Sequence, residues 1–352
     1  MMPDPMMPDP VTPEPTAPDS IAPPTALSFG APEAGLGSPD VAFAAPGGYI
    51  DNAIPRTRFT FRFDAAYDNP TPDRAEFFYA KCGCFRGIDP DAPGPQPDNP
   101  VGDRVVESGV DYQELWFNME YALMDQRASA FVEIPVRFIN PEINDNEAGL
   151  GDINFGLKYA LIADADQFVT MQVRVYSPSG DAGDGLGTDH FSIEPALLYL
   201  RRLDQDWSIF GELRYWIPVD GSDGPVIPGG GNVDFDSNVL RYGVGLAYNL
   251  IDNPCQGYQV APVVELVGWH VFDGFASSSP DGSAANFMLE SGEASIVNSK
   301  VGVRFTFGDT SSANFAGYGG DQSLYVGWGH ALTNDDDAWY RDVLRMEYRV
   351  NF

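Results

Sequence analysis

Basic residues are scarce in this 352-residue chain: Lys and Arg number 20 against 51 Asp and Glu, for a formal charge of −31 at pH 7. Nucleic-acid binding needs a basic footprint, and this balance argues against it. Long apolar runs are missing too. No stretch approaches the ~18 consecutive apolar residues of a membrane helix. That excludes a helical membrane protein but not a barrel, whose strands alternate instead of running apolar. Histidine is limited to His190, His270 and His330, and cysteine to Cys82, Cys84 and Cys255. No G-x-S-x-G, H-E-x-x-H or phosphate-binding loop is present, so no enzyme is expected, and neither a resident metal nor a cofactor. The C-G-C pair has no evident fourth ligand and reads as incidental loop cysteine.

What the chain does have is 37 glycines, 30 prolines and 13 % aromatic residues. The glycine and proline disfavour an all-helical protein, and 43 % apolar content disfavours a wholly disordered one. Residues 1–55 hold 13 of the prolines and no Lys or Arg, and open on a direct repeat, MMPDP at 1–5 and again at 6–10. Proline removes backbone donors and the acids repel one another, so a disordered, extended leader is expected over 1–55. It lacks the basic start and continuous apolar core of a secretory signal, so the signal an exported protein needs is expected to have been removed, omitted or to lie upstream.

From Arg56 the pattern changes to period-two alternation, in twelve segments: 56–67, 110–123, 127–139, 149–163, 166–177, 189–203, 206–218, 237–250, 257–272, 294–307, 321–332 and 339–352. In 113–123 one face is Leu115, Phe117, Met119, Tyr121 and Leu123. In 152–161 it is Ile153, Phe155, Leu157, Tyr159 and Leu161, opposite Asp152, Asn154 and Lys158. The segments exceed the ~5–6 residues of ordinary strands and suit a tilted membrane crossing of about 9–11 residues. Connections alternate between long (68–109, 178–188, 219–236, 273–293) and short (near 124–126, 164–165, 204–205 and 252–255), with lapses at 308–320 and 333–338. This is the layout of an outer-membrane barrel. The expected fold is therefore all-β: an antiparallel transmembrane β-barrel of about twelve strands over 56–352, behind the leader. Pro135, Pro195 and Pro262 fall inside strands, where bulges are expected. Gly243 and Gly245 are expected to ease a bend.

The charged residues of these segments fall on the phase opposite the apolar one. The candidates for lining the lumen are Arg62, Glu114, Glu120, Glu133, Arg137, Asp152, Lys158, Arg174, Glu194, Glu212, Arg214, Arg241, Glu265, Lys300, Arg304, Arg345, Glu347 and Arg349. Arg58, Asp64 and Arg341 share that phase. A charge facing hydrocarbon costs up to ~2–4 kcal/mol, whereas one facing a lumen is solvated or paired. Such charges either brace the interior or set the selectivity of a conduit. The acidic, glycine-rich stretch 180–190 does not match an EF-hand, so specific Ca²⁺ binding is not expected there.

The stretches GLGDINFGLKYAL (149–161) and YSPSGDAGDGLGTDH (176–190), with RYGVGLAYNL (241–250) and a final alternating strand ending in Phe352, resemble the outer-membrane barrel family labelled "MetA-pathway of phenol degradation". The likeness covers most of 56–352 and implies a transport protein. The acidic leader and the C-G-C loop depart from the family, and no substrate residues are carried over.

These readings converge on passive passage of small solutes through a narrow, charge-lined lumen in a bacterial outer membrane. Expected partners are outer-membrane lipid, small solutes and the barrel-assembly machinery, which would read the terminal strand at Phe352. The alternatives are a non-conducting structural or adhesive barrel acting through acidic loops, and an outer-membrane hydrolase with a Ser–His pair at its rim.

Overall fold

The computed structural model describes residues 47–69, 109–124, 127–142, 146–164, 166–181, 184–188, 190–219, 238–253, 258–272, 275–278, 287–290, 295–307, 322–333 and 339–352. The leader up to residue 46, the C-G-C loop, Cys255 and the 308–321 turn lie outside these residues.

Twelve strands form a closed antiparallel wall. They are β1 (Arg58–Asn69), β2 (Val110–Leu123), β3 (Ala128–Pro141), β5 (Asn154–Ala163), β6 (Gln167–Tyr176), β7 (Phe191–Arg202), β8 (Trp207–Val219), β9 (Val239–Tyr248), β11 (Tyr258–Val271), β14 (Ser295–Phe307), β15 (Gln322–Ala331) and β16 (Asp342–Asn351). Each pairs with its neighbour along the chain, and β1 pairs with β16 to close the ring. Four short strands complete the inventory. β4 (Glu147–Leu150) continues the line of β5 along β3, β10 (Ile251–Asn253) adds to β11, and β12 (Phe275–Ser278) pairs with β13 (Phe287–Glu290) in the loop between β11 and β14. Each of the twelve segments read from the alternation overlaps a wall strand, and β2 has the expected bounds.

Burial follows the same period. Phe117, Met119, Tyr121 and Leu123 are exposed on β2 while Trp116 and Glu120 between them are buried; Phe155, Leu157, Tyr159 and Leu161 are exposed on β5 around buried Lys158 and Ala160. Apolar residues thus face out, the reverse of a soluble protein, and the surface they make is one that lipid covers. Exposed aromatic residues sit toward both rims. Tyr121, Trp207, Tyr258 and Phe352 lie toward the short turns, and Tyr67, Phe138, Phe191 and Trp328 toward the long loops. Amphipathic rings belong at those depths.

Two of the three in-strand prolines carry the expected irregularity. Along β3, Glu133 pairs with Asn154 and Val136 with Leu150, so the partner chain spends one extra residue opposite Pro135. There Gly151 donates its N–H to the Pro135 carbonyl at 3.0 Å. Along β11, Val263 pairs with Ala247 and Val260 with Ile251, again one extra residue beside Pro262. A proline has no ladder donor, and in both places the partner strand breaks where that donor is missing. At Pro195 the register does not shift. The β7–β8 pairing lapses at Glu194 and Pro195 and resumes in step at Ala196–Arg214.

The outward phase predicts a sharp penalty for reversing one residue. Leu213, mid-strand on β8 and exposed, should lose about 2–4 kcal/mol of barrel stability when changed to Arg, as a charge at the membrane midplane does. Urea unfolding in phospholipid vesicles measures it, and a loss below ~0.5 kcal/mol, the usual scale of a neutral surface change, would contradict the lipid-facing assignment.

Candidate functional site: the charged interior and the segment that crosses it

Of the eighteen charges proposed for the lumen, fifteen are buried, and Arg62, Arg241 and Arg345 are partly buried. They pair mainly between strands. Arg137 meets Glu114 at 2.6 Å, and Arg58 (2.6 Å) and Lys158 (3.2 Å) share Glu120. Arg174 reaches Glu133 (3.2 Å). Arg214 binds Glu194 (2.9 Å) and Glu212 (2.8 Å), and Arg241 binds Glu212 (2.7 Å). Arg345 grips Asp64 through two bonds of 2.6 and 2.7 Å, while Arg304 (2.8 Å) and Arg349 (2.6 Å) share Glu347. A buried charge is tolerated only when paired and hydrogen-bonded, and these pairs meet that condition.

Two residues of the charged phase stand apart. Arg341 is exposed and precedes β16, its N–H bonded to the carbonyls of Tyr67 and Asp68. Asp152 is buried but serves a loop. It accepts the N–H of Gly180 at 3.0 Å and both the N–H (2.7 Å) and hydroxyl (2.8 Å) of Thr188. Ser179 bridges the Ile153 N–H and the Gly151 carbonyl, and Arg137 donates to the Leu186 carbonyl at 2.9 Å. The two stretches that carried the family resemblance are therefore one lock, in which a carboxylate on the bulged strand fastens the 177–188 loop. Its glycines are steric: a Cβ on Gly180 would strike Leu186, and Gly185 has φ 72°.

The leader, expected in the periplasm or partly within the lumen, has a part that composition did not set apart, Gly47–Arg56. Composition groups these residues, up to Pro55, with the leader, yet all are buried except Asp51, which is partly so. Their partners lie on strands all around the ring. The Glu265 carboxylate of β11 receives three successive N–H groups, from Gly48 (3.3 Å), Tyr49 (3.1 Å) and Ile50 (3.0 Å). Backbone carbonyls take the wall's cations: Gly47 faces Arg304 and Arg349, Gly48 faces Arg345 (2.8 Å), Tyr49 faces Arg241 (2.8 Å) and Asn52 faces Lys158 (3.2 Å). Thr170 donates its hydroxyl to the Ala53 carbonyl, and Glu120 accepts the Arg56 N–H at 3.3 Å. Asp51 lies between Arg174 (2.9 Å) and Arg214 (2.5 Å). A segment bonded to β2, β5, β6, β8, β9, β11, β14 and β16 runs across the interior of the barrel.

Side chains fix its height. The Tyr49 ring sits 3.9 Å from both the Lys300 ammonium and the Arg345 guanidinium, and edge-on to Tyr325 at 6.3 Å. Lys300 also bonds the Tyr340 hydroxyl and faces the Trp269 ring at 5.8 Å, so aromatic faces stand in for a carboxylate. Gly48 lies on the Tyr325 ring, where a Cβ would overlap it. Gly243 and Gly245 have the same kind of role. A Cβ on the first would meet Ile50 at 3.0 Å, and on the second the Phe210 ring. Close packing explains both glycines.

Of the histidines, His190 is buried with its Nδ1 2.8 Å from the Thr188 carbonyl, and His330 meets Asp342 at 2.9 Å. His270 lies 2.8 Å from the Ser295 hydroxyl. These two are directly paired across β11 and β14, and among the described residues no carboxylate orients that ring, as a Ser–His catalytic pair requires. Among the described residues no group of three metal-ligating side chains forms.

A closed twelve-stranded wall, apolar outside and charged within, defines a transmembrane β-barrel. No family model matches the sequence and no curated protein matches it, so the MetA-pathway resemblance rests on its motifs alone. Among solved structures the chain is similar to the COG4313 outer membrane channel from Pseudomonas putida F1, at 14% identity over 88% of this chain and 99% of that one, with a TM-score of 0.47. It is also similar to the NanC porin (10% identity, 84% and 98% covered, TM-score 0.42) and to LpxR from Salmonella typhimurium (11%, 84% and 100%, 0.40). Likeness at this level carries no argument about function.

Two outcomes follow from the crossing segment. Glu265→Ala removes an acceptor from three buried N–H groups, and hydrogen bonds to a charge are worth about 1.5–3 kcal/mol. Exchange of the Gly48, Tyr49 and Ile50 amides should accelerate by at least about tenfold; unchanged exchange would show that the carboxylate does not hold the segment. The second concerns acid. Burial raises the Asp51 pKa, but Arg214 and Arg174 outweigh it and hold the carboxyl well below the usual carboxylate range. A depressed folded pKa means this contact contributes fully above the unfolded value of about 4 and is lost only as pH falls through the lower one. NMR of the Asp51 carboxyl carbon should show no protonation from pH 7 down to about 4.

Proposed function

We propose that the protein is a channel or transporter for small solutes in the bacterial outer membrane, closed at rest by Gly47–Arg56 and conducting when that segment yields. The observation that carries the reading is the polar nature of the closure. A barrel needed only as a scaffold can fill its interior with the side chains of its own strands. This one holds a hydrogen-bonded segment against a charged wall, an arrangement water can enter when the segment withdraws. The apolar belt supports contact with outer-membrane lipid. The terminal strand, with the Phe352 side chain exposed and its N–H bonded to the Thr57 carbonyl at 2.9 Å, supports recognition by barrel-assembly machinery.

The same filled interior favours one other reading, a structural barrel that never conducts and works through its acidic loops. Planar-bilayer recording separates the two. The full chain should give rare, small steps, and a chain lacking residues 1–55 should give sustained steps several-fold larger. The full-length double variant Asp51→Ala, Glu265→Ala loosens the segment without deleting it, and should fall between them. Silence from both altered proteins, each shown to be inserted as a folded barrel, would overturn the channel reading in favour of the structural one.

A further inference from the structure

Beside the crossing segment lies a small polar cavity of about 30 Å³, bounded by Asp51 and Asn52 from the segment and by side chains of the wall. A water needs roughly 10–15 Å³, so two or three fit. The charges on its lining are unequal. Five cations reach it, Arg58, Arg62, Lys158, Arg174 and Arg349, against three acids, Asp51, Glu133 and Glu347.

The acids are already engaged. Glu347 is held by Arg304 and Arg349, Asp51 by Arg174 and Arg214, and Glu133 accepts from Asn118 at 2.9 Å and faces Arg174. The arginines are not used up. A guanidinium has five N–H donors in a rigid fork and no acceptor. Here Arg58 Nε, Arg174 Nε and Arg349 Nη1 are buried and bond no protein atom. Arg62 lies over the Trp116 ring at 4.4 Å and Arg174 over Phe131 at 5.2 Å, so aromatic faces cover one side of these cations and take no donor from them. Each of these cations also has a carboxylate partner, Arg58 and Lys158 in Glu120 and Arg62 in Asp64, so what the lining has in excess is charged N–H donors. Such donors suit an anion, and the planar fork suits a carboxylate.

We propose that this cavity is a binding site for a small carboxylate of formate or acetate size, seated beside the Asp51 carboxylate of the crossing segment. The inference names a solute class for the transport reading and rests on that reading only for entry from water. Asp51 presents to Arg174 the same group the ligand would bring, so ligand and segment compete for donors, and a bound carboxylate weakens the closure.

The test reads binding in detergent micelles, where conduction plays no part, so its failure is distinct from failure of the channel reading. Saturation-transfer NMR on the full chain compares acetate with acetamide, its uncharged counterpart of equal size. Acetate should bind and acetamide should not. Arg349→Gln and Arg62→Gln, each confirmed as a folded barrel by heat-shifted gel migration, should weaken acetate by ~10-fold or more, the usual scale for losing a charged donor. Arg349→Lys should restore part of the affinity, and Asp51→Asn should tighten it. Equal binding of acetamide, or acetate affinity unchanged in a folded Arg349→Gln or Arg62→Gln protein, would overturn the proposal. Should either Arg variant fail to fold, the acetamide comparison and Asp51→Asn still decide it.

Discussion

Burying charge inside a narrow barrel is the constraint from which the rest of this structure follows. Lipid excludes charges from the outer face, so every ionised side chain of the wall must be solvated or paired within. Side chains of the wall supply much of that pairing, with Glu120, Glu212 and Glu347 each shared by two cations. The balance is met by backbone. Carbonyls of Gly47, Gly48, Tyr49 and Asn52 face Arg304, Arg345, Arg241 and Lys158, and a run of N–H groups faces Glu265. An irregular segment is suited to this because its peptide groups are not committed to a ladder. It provides donors and acceptors in one strip, much as water would, without leaving an uncompensated ion behind.

The wall was legible in the sequence because its cause is periodic. Each strand has lipid on one side and its own interior on the other, so Leu115, Phe117, Met119 and Tyr121 must alternate with other residue types. The same logic put charges such as Lys158 and Arg214 on a single phase. What was not legible was aperiodic. Gly47–Pro55 has the glycine, proline and absence of basic residues of the leader before it, and its role depends on distant partners: Glu265 is more than two hundred residues away. Gly243 and Gly245 advertised a special position but not its reason, because the ring and side chain that occupy the space come from Phe210 and Ile50. The prolines were informative where a partner strand could bulge and silent at Pro195, where the ladder simply opens.

Asp152 shows how a residue on the charged phase can serve a loop instead of a cation. Its phase places it with the wall charges, and its neighbours Gly149–Gly151 suggest a strand start. The bulge opposite Pro135 displaces it toward the 177–188 loop, where Gly180 and Thr188 use up its carboxylate. One residue of register thus converts a wall charge into a loop fastener. Arg137 joins the two levels, bonded to Glu114 in the wall and to the Leu186 carbonyl in the loop.

The pairing of β1 with β16 has a consequence for the order of assembly. Asp64 and Arg345 are 281 residues apart and meet only at that seam, so the ring cannot close until its last strand exists. The crossing segment runs directly into β1 and is bonded to β14 and β16 as well as to β2, β5 and β6. Its bonds to Arg304 and Arg345 therefore also wait for the last strands. Sealing of the seam is a late event, with loop closure over nearly the whole chain as its entropic cost.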